Sequence, residues 1–482
     1  MTDVPPSGRE TPPALSATPG RPRRMPIPGG FAPILLVAAL TACSSATSPP
    51  AGGPEGSPSS SASASPSASP AKPVPRDTAH DYNRDGYADL VIGVPDGEVN
   101  GRKAGRIEVV YGSPGGPAPG ARKVIDLGPA AAPGGRFGAA LASGDFDGDG
   151  YADLAVGAPG RGDARGSVAV FFGSAQGLSD KAVMLPRPPS ARGFGARLAA
   201  GDFNQDGRHD LAVAGHYSVW VAYSGSRVRQ GRAGWETVMR DTADIGPIAA
   251  GDVTGDGHAD LAVIYSDDDP ADEATGVVYR GSPRGLSGRM DGTFPGWGVG
   301  DLAIADFDGD GFGDIAAGNA HEDAEETTGQ VYLTRGSADR LAETPVHLTL
   351  KTAGMPAYPE ETSGFGSALA TGDVNGDGYA DIAVGADGGQ RGTAFVLYGG
   401  RSGLSTQGAQ VYEPKPLGVT DGSVQGFGLA VAVADLDGDG AAEVAVTTRA
   451  PDRVTVLSPG KGNAEVDLDP GKEGEQFGYV LG

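Results

Sequence analysis

The sequence predicts an all-β domain, a seven-bladed β-propeller that runs from about residue 77 to residue 482. Three observations support this prediction. An acidic nonapeptide with glycine at its sixth position recurs seven times between residues 81 and 443. Each copy runs directly into a short apolar stretch, which is typical of a buried strand. The copies begin 50 to 67 residues apart, a period that favours one blade per repeat.

Residues 1–42 have the pattern of an export signal. Arg21, Arg23 and Arg24 precede an apolar run, 31–40, that is too short to span a bilayer. The run ends in Leu-Thr-Ala-Cys43, and Cys43 is the chain's one cysteine. This ending resembles the lipobox of bacterial lipoproteins, which implies that Cys43 is lipidated and becomes the mature N-terminus. The alternative is an ordinary secretory signal in which the cysteine is incidental.

Residues 43–76 are predicted to be a disordered tether. They consist mainly of Ser, Pro, Ala and Gly, a composition that cannot bury a hydrophobic core. A flexible chain of this length has a root-mean-square span of roughly 30 Å. The tether would therefore hold the folded domain away from a membrane surface.

The chain is strongly acidic, and the acidity is concentrated in the repeated nonapeptides. Its 482 residues carry a formal net charge of -24, and the seven nonapeptides together hold 24 acidic side chains. Binding to nucleic acid requires Lys and Arg to neutralise phosphates, so nucleic acid is excluded as an expected partner. The acidity instead indicates metal binding.

Each nonapeptide is predicted to be a calcium loop, so the chain would hold up to seven structural Ca²⁺ ions. Calcium requires several hard oxygen ligands around one point, and the glycine at position 6 permits the sharp turn. Side chains would bind from positions 1, 3, 5 and 9, and position 7 would bind through its backbone carbonyl, which leaves its side chain free. The candidate ligands are, at position 1, Asp81, Asp145, Asp202, Asp252, Asp306, Asp373 and Asp435; at position 3, Asn83, Asp147, Asn204, Thr254, Asp308, Asn375 and Asp437; at position 5, Asp85, Asp149, Asp206, Asp256, Asp310, Asp377 and Asp439; at position 7, Tyr87, Tyr151, Arg208, His258, Phe312, Tyr379 and Ala441; and at position 9, Asp89, Asp153, Asp210, Asp260, Asp314, Asp381 and Glu443. Thr254 and Glu443 depart from the common pattern, so loops four and seven are expected to bind calcium more weakly or to use an extra water ligand.

The loops lie within a β-meander and are not EF-hands. An EF-hand needs a glutamate at position 12 and flanking helices. Position 12 is here an apolar strand residue such as Val156 or Val384. A second apolar strand and a turn follow in most repeats, which is consistent with an all-β domain.

The two ends of the chain are predicted to complete one blade. Phe-Gly stands eight residues before the first Asp in several repeats, as at Phe137 and Phe194. The first loop lacks this pair, whereas Phe477-Gly478 has no loop after it. Pairing of residues 477–481 beside residues 90–94 would close the ring and remove an unpaired edge.

The order Phe-Gly, calcium loop and Gly-Ala-Pro over residues 137–159 resembles the FG-GAP repeat of integrin α-subunit propellers and of similar bacterial proteins. The resemblance covers residues 81–482. Repeats four and five depart from it, because Asp244-Ile245 and Gly298-Val299 replace Phe-Gly. The resemblance implies a calcium-stabilised propeller for adhesion or ligand binding, with the ligand held by loops on one face.

No catalytic motif is found, so the chain is not expected to be an enzyme. The GxSxG, HExxH and GxxxxGK[ST] patterns are absent from the sequence, and the six histidines are scattered. His209 and His258 are interpreted as exposed loop positions. The alternative is a carbohydrate-binding or carbohydrate-active propeller, similar to a polysaccharide lyase or a hydrolase. The chain also resembles the propeller part of a phospholipase D, but it has no room for the separate catalytic domain.

The partner and location follow from these expectations. The ligand would be an extracellular protein or glycan, the protein a monomer, and its contact with the membrane limited to the N-terminal lipid. The location would be the outer face of the cell membrane. Two acidic inserts, 266–273 and 321–326, are interpreted as solvated charged loops.

Overall fold

The computed structural model describes residues 80–118, 120, 122–240, 244–266, 274–290, 292–296, 300–320, 328–389, 391–414, 424–461, 464–468 and 475–482. The predicted signal, Cys43, the tether, most of the acidic insert 266–273 and all of the insert 321–326 lie outside these ranges. Among the described residues, no helix has the length and apolar character that crossing a membrane would require.

The described chain is almost entirely β-structure. Its strands are β1 (Leu90–Val94), β2 (Glu98–Val99), β3 (Arg102–Lys103), β4 (Arg106–Val110), β5 (Arg122–Ile125), β6 (Ala140–Gly144), β7 (Asp153–Gly157), β8 (Val168–Phe171), β9 (Val183–Leu185), β10 (Arg197–Gly201), β11 (Asp210–Ala214), β12 (Ser218–Ala222), β13 (Trp235–Arg240), β14 (Asp244–Gly251), β15 (Asp260–Ser266), β16 (Thr275–Tyr279), β17 (Phe294–Pro295), β18 (Leu302–Ala305), β19 (Asp314–Asn319), β20 (Gln330–Thr334), β21 (Val346–Thr349), β22 (Phe365–Gly372), β23 (Asp381–Ala386), β24 (Thr393–Tyr398), β25 (Ser405–Tyr412), β26 (Val431–Ala434), β27 (Glu443–Thr448), β28 (Arg453–Ser458), β29 (Ala464–Leu468) and β30 (Val480–Leu481). The helices described are two four-residue α-helices, α1 (Arg161–Ala164) and α2 (Ser226–Arg229), and two 3-10 turns, Gly128–Ala130 and Pro459–Lys461.

Seven four-stranded antiparallel sheets form the seven predicted blades. Blade one comprises β30, β1, β4 and β5, and blades two to seven follow in chain order from β6–β9 to β26–β29. The first strand of each blade lines a central channel. The second strand contains the apolar stretch that follows each loop, and in blades two and six it is buried along its whole length. Burial on both faces explains why these stretches lack the alternation of a half-exposed strand.

The C-terminal segment closes the ring, as the sequence predicts. In blade one, β30 pairs antiparallel with β1, with Ile92 opposite Leu481 and Gly93 opposite Val480. The backbone N–H of Gly482 also donates to the carbonyl of Val91 at 3.0 Å. The innermost strand of blade one therefore comes from the other end of the domain.

The hydrophobic core is divided among the junctions between blades. Seven clusters of buried side chains are present among the described residues, and each joins two neighbouring blades. The phenylalanine of each Phe-Gly pair packs against the preceding blade. Phe137 of blade two, for example, lies in one cluster with Ile107 and Val109 of blade one, and it makes an edge-to-face contact with Phe171 of its own blade at 6.0 Å. The Phe-Gly pairs thus supply large apolar area between sheets.

The glycines of the two motifs allow neighbouring backbones to approach each other. A Cβ atom placed on Gly157, in the Gly-Ala-Pro motif of blade two, would lie 2.1 Å from the carbonyl oxygen of Gly195 in the Phe-Gly pair of blade three. No side chain fits at that distance. The glycine of the Gly-Ala-Pro motif therefore contacts the glycine of the next blade's Phe-Gly pair across the blade junction. This contact explains why the two motifs occur together.

Other apolar residues fill the junctions where Phe-Gly is missing. Ile245 of repeat four packs, partly buried, in the junction of blades three and four. Phe294 of the outer strand β17 is 2% exposed and fills the junction of blades four and five. The β14–β15 pairing shifts register between Ile245 and Ile248, and the β22–β23 pairing of blade six, which keeps its Phe-Gly pair, shifts at the corresponding place. Gly298 and Val299 lie outside the described residues.

Candidate functional site: seven acidic loops on one face

The seven predicted calcium loops lie on one face of the propeller, which we call the loop face. Each loop connects the first and second strands of its blade, or precedes the second strand in blade one. The recurring glycine at position 6 has a positive φ in every loop, as at Gly150 (88°) and Gly311 (90°). A side chain would be strained in that conformation, which accounts for glycine at this position.

All seven loops share the same internal hydrogen bonds. The backbone N–H at position 6 donates to the carboxylate at position 1 over 2.8–3.0 Å. The N–H at position 7 donates to the carboxylate at position 5 over 2.9–3.1 Å. These bonds turn the acidic side chains toward the interior of each loop, and the loop holds its shape through side-chain to backbone contacts.

The acids at position 9 are the most deeply buried members of the loops. Asp153 is completely buried, and its two carboxylate oxygens accept the N–H groups of Phe146 and Gly173, each at 2.9 Å. Burial raises the pKa of Asp153 to about 8 and those of Asp89 and Asp381 to about 7. Removal of a carboxylate from water favours its neutral form, and a bound cation would oppose that effect.

The loops contain the donors that a calcium ion requires. Ligand atoms of three acids lie within 4.8 Å of one another in loops two, five and seven: Asp145, Asp147 and Asp153; Asp306, Asp308 and Asp310; Asp435, Asp437 and Glu443. Loops one, three and six have an Asn at position 3, and loop four has a Thr. In loop five, one oxygen of Asp314 is buried without a hydrogen-bond partner among the described residues. These oxygen-only sets fit Ca²⁺, which when bound would join the acids of a loop by electrostatic attraction.

A basic side chain contacts each of the three most acidic loops. Arg229 pairs with Asp147 and Asp149, Arg335 pairs with Asp308, and Lys461 contacts three acids of loop seven. Arg229 and Arg335 remain about half exposed, so these ion pairs are weak. Each of these loops has four acids, so one basic group leaves an excess of negative charge for a divalent ion.

Hydrogen bonds between backbones join each loop to the loop of the next blade. At six junctions the N–H at position 8 of one loop donates to the carbonyl at position 1 of the preceding loop; examples are His209 to Asp145 at 2.9 Å and Gly313 to Asp252 at 2.7 Å. The carboxylates at position 1 are the acceptors that shape each loop. An ion bound in one loop would therefore act on a residue that also contacts the next blade.

The side chain at position 7 is not free, contrary to the expectation from the sequence. It packs over position 4 of the preceding loop, where a glycine often stands. A Cβ atom on Gly309 would lie 2.8 Å from the Tyr379 ring, and one on Gly255 would lie 2.8 Å from the Phe312 ring. Position 4 was missed in the sequence, although glycine occupies it in five of the seven loops: Gly148, Gly255, Gly309, Gly376 and Gly438.

The interpretation of His258 as an exposed residue was wrong. His258 is 8% exposed, and its Nδ1 lies 3.0 Å from a carboxylate oxygen of Asp256. His209 is partly buried, and its Nδ1 accepts the N–H of Asp145 at 3.3 Å. The His209 ring lies between adjacent loops, a position that depends on the angle between blades and cannot be read from one repeat.

The fold and the loops together define a propeller of repeats with one acidic, oxygen-rich loop in each blade. The FG-GAP repeat family model matches residues 77–107, 137–171, 299–334 and 365–397. The FG-GAP-like repeat model matches residues 202–263. The described domain is therefore an FG-GAP repeat propeller of the integrin-alpha-like type.

Curated relatives of two kinds share these repeats. The chain is 39% identical over 155 residues to phosphatidylinositol-glycan-specific phospholipase D of Mus musculus, covering 29% of this chain and 18% of that protein. It is 37% identical over 153 residues to integrin alpha-IIb of Homo sapiens, covering 30% and 14%. It is 27% identical over 260 residues to integrin alpha pat-2 of Caenorhabditis briggsae, covering 52% and 18%. The chain thus spans a fifth or less of the length of these relatives.

Proposed function

We propose that the protein is an exported, lipid-anchored propeller that binds calcium in its seven loops and acts as an adhesion or ligand-binding module. Calcium has a structural role in this proposal: it neutralises the acids of each loop and stabilises the junctions between blades. Cys43 would carry the lipid, and residues 43–76 would form the tether. The domain would bind an extracellular protein or glycan at the cell surface as a monomer.

The observation that carries the proposal is the repetition of one loop geometry in all seven blades. The same two sets of hydrogen bonds orient the acids at positions 1 and 5 in every loop. Each loop concentrates negative charge beside a buried carboxylate at position 9. Like charges held this close repel each other, and a divalent cation would relieve the repulsion.

A binding role has more support than a catalytic one. The matched relatives include both an enzyme and integrin alpha chains, and the matched residues cover only a small part of each. The charged side chains among the described residues that line the central channel are Arg197, Asp301 and Asp387. A glycoside-cleaving site needs two carboxylates that flank the scissile bond, and of the two in this channel Asp387 is already paired with Arg449. No observation on the described residues favours the carbohydrate-active alternative.

Calorimetric titration of the protein with Ca²⁺, together with thermal melting in calcium and in chelator, tests the metal role. We expect up to seven bound ions and a large rise in melting temperature. Extracellular modules bind calcium at about 10⁻⁴ to 10⁻³ M, which sets the range of the titration. Mg²⁺ at the same concentration is the control, because it demands a smaller octahedral site. No calcium binding and an unchanged melting temperature would contradict the metal role.

The anchor and the adhesive role need separate measurements. Cys43→Ser should prevent incorporation of a labelled fatty acid and release the protein from the membrane fraction, whereas Ser44→Ala should do neither.

Cells that display the anchored protein should adhere to surfaces coated with extracellular proteins or glycans in calcium but not in chelator. Equal adhesion by cells without the protein would contradict the adhesive role.

A further inference from the structure

The central channel contains a cavity that is separate from the calcium loops. Its volume is about 520 Å³, and it lies toward the face opposite the loop face. All seven blades contribute to its wall, mostly through small or apolar residues such as Ala140, Pro247 and Ala430. Small-molecule sites in proteins typically measure about 300–1,000 Å³. The cavity is therefore large enough for a compound of dipeptide size.

One position of the repeat lines the channel in several blades, and in two of these blades the residue at that position is charged. The residue five places before the first loop Asp is Ala140, Pro247, Ala368 or Ala430 in four blades. In blade three it is Arg197, and in blade five it is Asp301; both line the cavity. The repeat therefore tolerates a small uncharged residue here. Two opposite charges, two blades apart, are not required by the blade architecture.

The Arg197 guanidinium is available to a ligand. Arg197 is exposed within the propeller, and one of its terminal nitrogens donates to the carbonyl of Ala196 at 2.9 Å. A guanidinium has five N–H donors, so several remain for a carboxylate, which it can bind through two parallel hydrogen bonds. Such a charge-assisted, two-bond pair is stronger than a hydrogen bond between neutral groups.

The Asp301 carboxylate is fixed in position by two blades. One oxygen accepts the N–H of Leu302 at 2.9 Å, and the other accepts the N–H of Leu369 in blade six at 3.2 Å. A carboxylate has about four acceptor sites, so it can accept further hydrogen bonds from an ammonium group. Burial raises the pKa of Asp301, and the charge of Arg197 lowers it. The two side chains interact through their charges without forming a direct ion pair with each other.

The third charged residue of the wall is already neutralised. Asp387 pairs with Arg449 at 2.7 Å, and its N–H donates to the hydroxyl of Ser367 at 3.3 Å. Tyr479 lines the same cavity, is 38% exposed, and lies under the Arg136 guanidinium at 5.5 Å. The cavity thus offers one cation, one anion, an aromatic ring and apolar walls.

From this arrangement we propose that the central channel binds a small zwitterion, a free dipeptide or an apolar amino acid, whose carboxylate pairs with Arg197 and whose ammonium group pairs with Asp301. The inference rests on the proposed ligand-binding function and names a ligand class for it. The apolar side chains of the ligand would contact the alanine, leucine and valine residues of the wall. A ligand with only one of the two charges would lose the charge-assisted hydrogen bonds to the other channel residue and should bind more weakly.

The test is calorimetric titration of the calcium-loaded full chain with three probes: the dipeptide Leu-Leu, its N-acetyl form, and its C-terminal amide. The wild-type protein should bind the free dipeptide most tightly. Arg197→Gln should weaken binding of the free dipeptide about ten- to a hundredfold while changing binding of the amide little, because the amide has no carboxylate to lose. Asp301→Asn should also weaken binding of the free dipeptide about ten- to a hundredfold. It should change binding of the N-acetyl form little, because that form has no ammonium group to lose.

Matched controls separate this result from a loss of folding. Arg284→Gln and Asp339→Asn alter exposed residues outside the channel and should leave all three affinities unchanged. Melting temperatures in calcium should be the same for all four variants. If the wild-type protein binds none of the probes, or binds the N-acetyl form as tightly as the free dipeptide, the zwitterion site is wrong. If calcium still raises the melting temperature in those samples, the calcium role in the proposed function is retained.

Discussion

The buried acid at position 9 makes the stability of the propeller depend on pH. Without bound calcium, burial holds the pKa of Asp153 at about 8 and those of Asp89 and Asp381 at about 7, against an ordinary value of 3.8. At a pH between the ordinary pKa and these raised pKa values, the folded chain binds more protons than the unfolded chain. Its free energy of unfolding therefore falls as the pH rises from about 4 to about 8.

Calcium should reverse this effect, because it favours the ionised carboxylates. We expect the rise in melting temperature on adding Ca²⁺ to be larger at about pH 8 than at about pH 5. Melting curves with and without calcium across this range provide the measurement. A calcium effect of the same size at both ends would show that these acids do not bind the ion.

A single acid at position 1 is a second test at the scale of the residue. Asp306 accepts the N–H groups of Gly309, Asp310 and Gly311 and belongs to the acidic group of loop five. Asp306→Asn removes the charge and keeps one of the two acceptor oxygens. We expect it to reduce the calorimetric calcium stoichiometry by one ion and to lower the melting temperature more in calcium than in chelator. Asp339→Asn, in an exposed turn, should leave the stoichiometry unchanged.

At the scale of the element, the loops behave as a connected ring rather than as seven separate turns. The position 7 side chains pack over position 4 of the preceding loop, and backbone bonds join successive loops. Loss of one loop should therefore disturb the next blade as well. This connection cannot be predicted from the sequence of one repeat, because a contact between repeats depends on the angle between blades.

Gly309→Ala tests the contact between loops. Gly309 has a φ of 72°, and an added Cβ would lie 2.8 Å from the Tyr379 ring. We expect a loss of stability of about 1–3 kcal/mol from the strained backbone and the displaced ring. Gly408→Ala is the matched control, since Gly408 has a φ of 84° and no atom within 4 Å of the added Cβ. Chemical denaturation of both variants measures the difference, and equal losses would mean that the ring contact is unimportant.

The repeats made the blades predictable, because each loop and the strand after it carry a strong local pattern. Closure through residues 477–481 was also predictable, from a Phe-Gly pair without a loop. The charges of Arg197 and Asp301 were not recognised, because each is an ordinary residue in its own repeat. Their meaning depends on the ring that places them on one channel. The buried Arg106 and Glu475 likewise gave no local signal.

At the scale of the whole molecule, a buried ionic cluster fastens the closing segment to blade one. Glu475 is 4% exposed and pairs with Arg106 at 2.5 Å, and Arg106 also contacts Glu108 on the same strand at 3.0 Å. The N–H of Glu475 donates to Asp452 of blade seven at 3.0 Å. Glu475 thus contacts blade one and blade seven, the two blades that meet where the ring closes.

Glu475→Gln should weaken the closure by leaving Arg106 with one acidic partner fewer in a buried site. Breaking a buried ion pair by removing one partner costs about 3–5 kcal/mol, and the remaining contact with Glu108 should reduce that cost. Glu413→Gln, at an exposed position, is the control. Denaturation by urea measures the stability, and hydrogen exchange should show the largest change in β1 and β30. An unchanged exchange rate in both strands would contradict this role of Glu475.

The pairing of β30 with β1 also determines the order in which the domain can be completed during synthesis. Blade one is the first blade to emerge and the last to be finished, because its innermost strand is made after the other six blades. Until then β1 has an unpaired edge, which can pair with other chains. A nascent chain arrested before residue 475 should therefore be cut by protease within blade one, whereas the finished chain should resist. Equal resistance of the two chains would mean that blade one is protected before its last strand arrives.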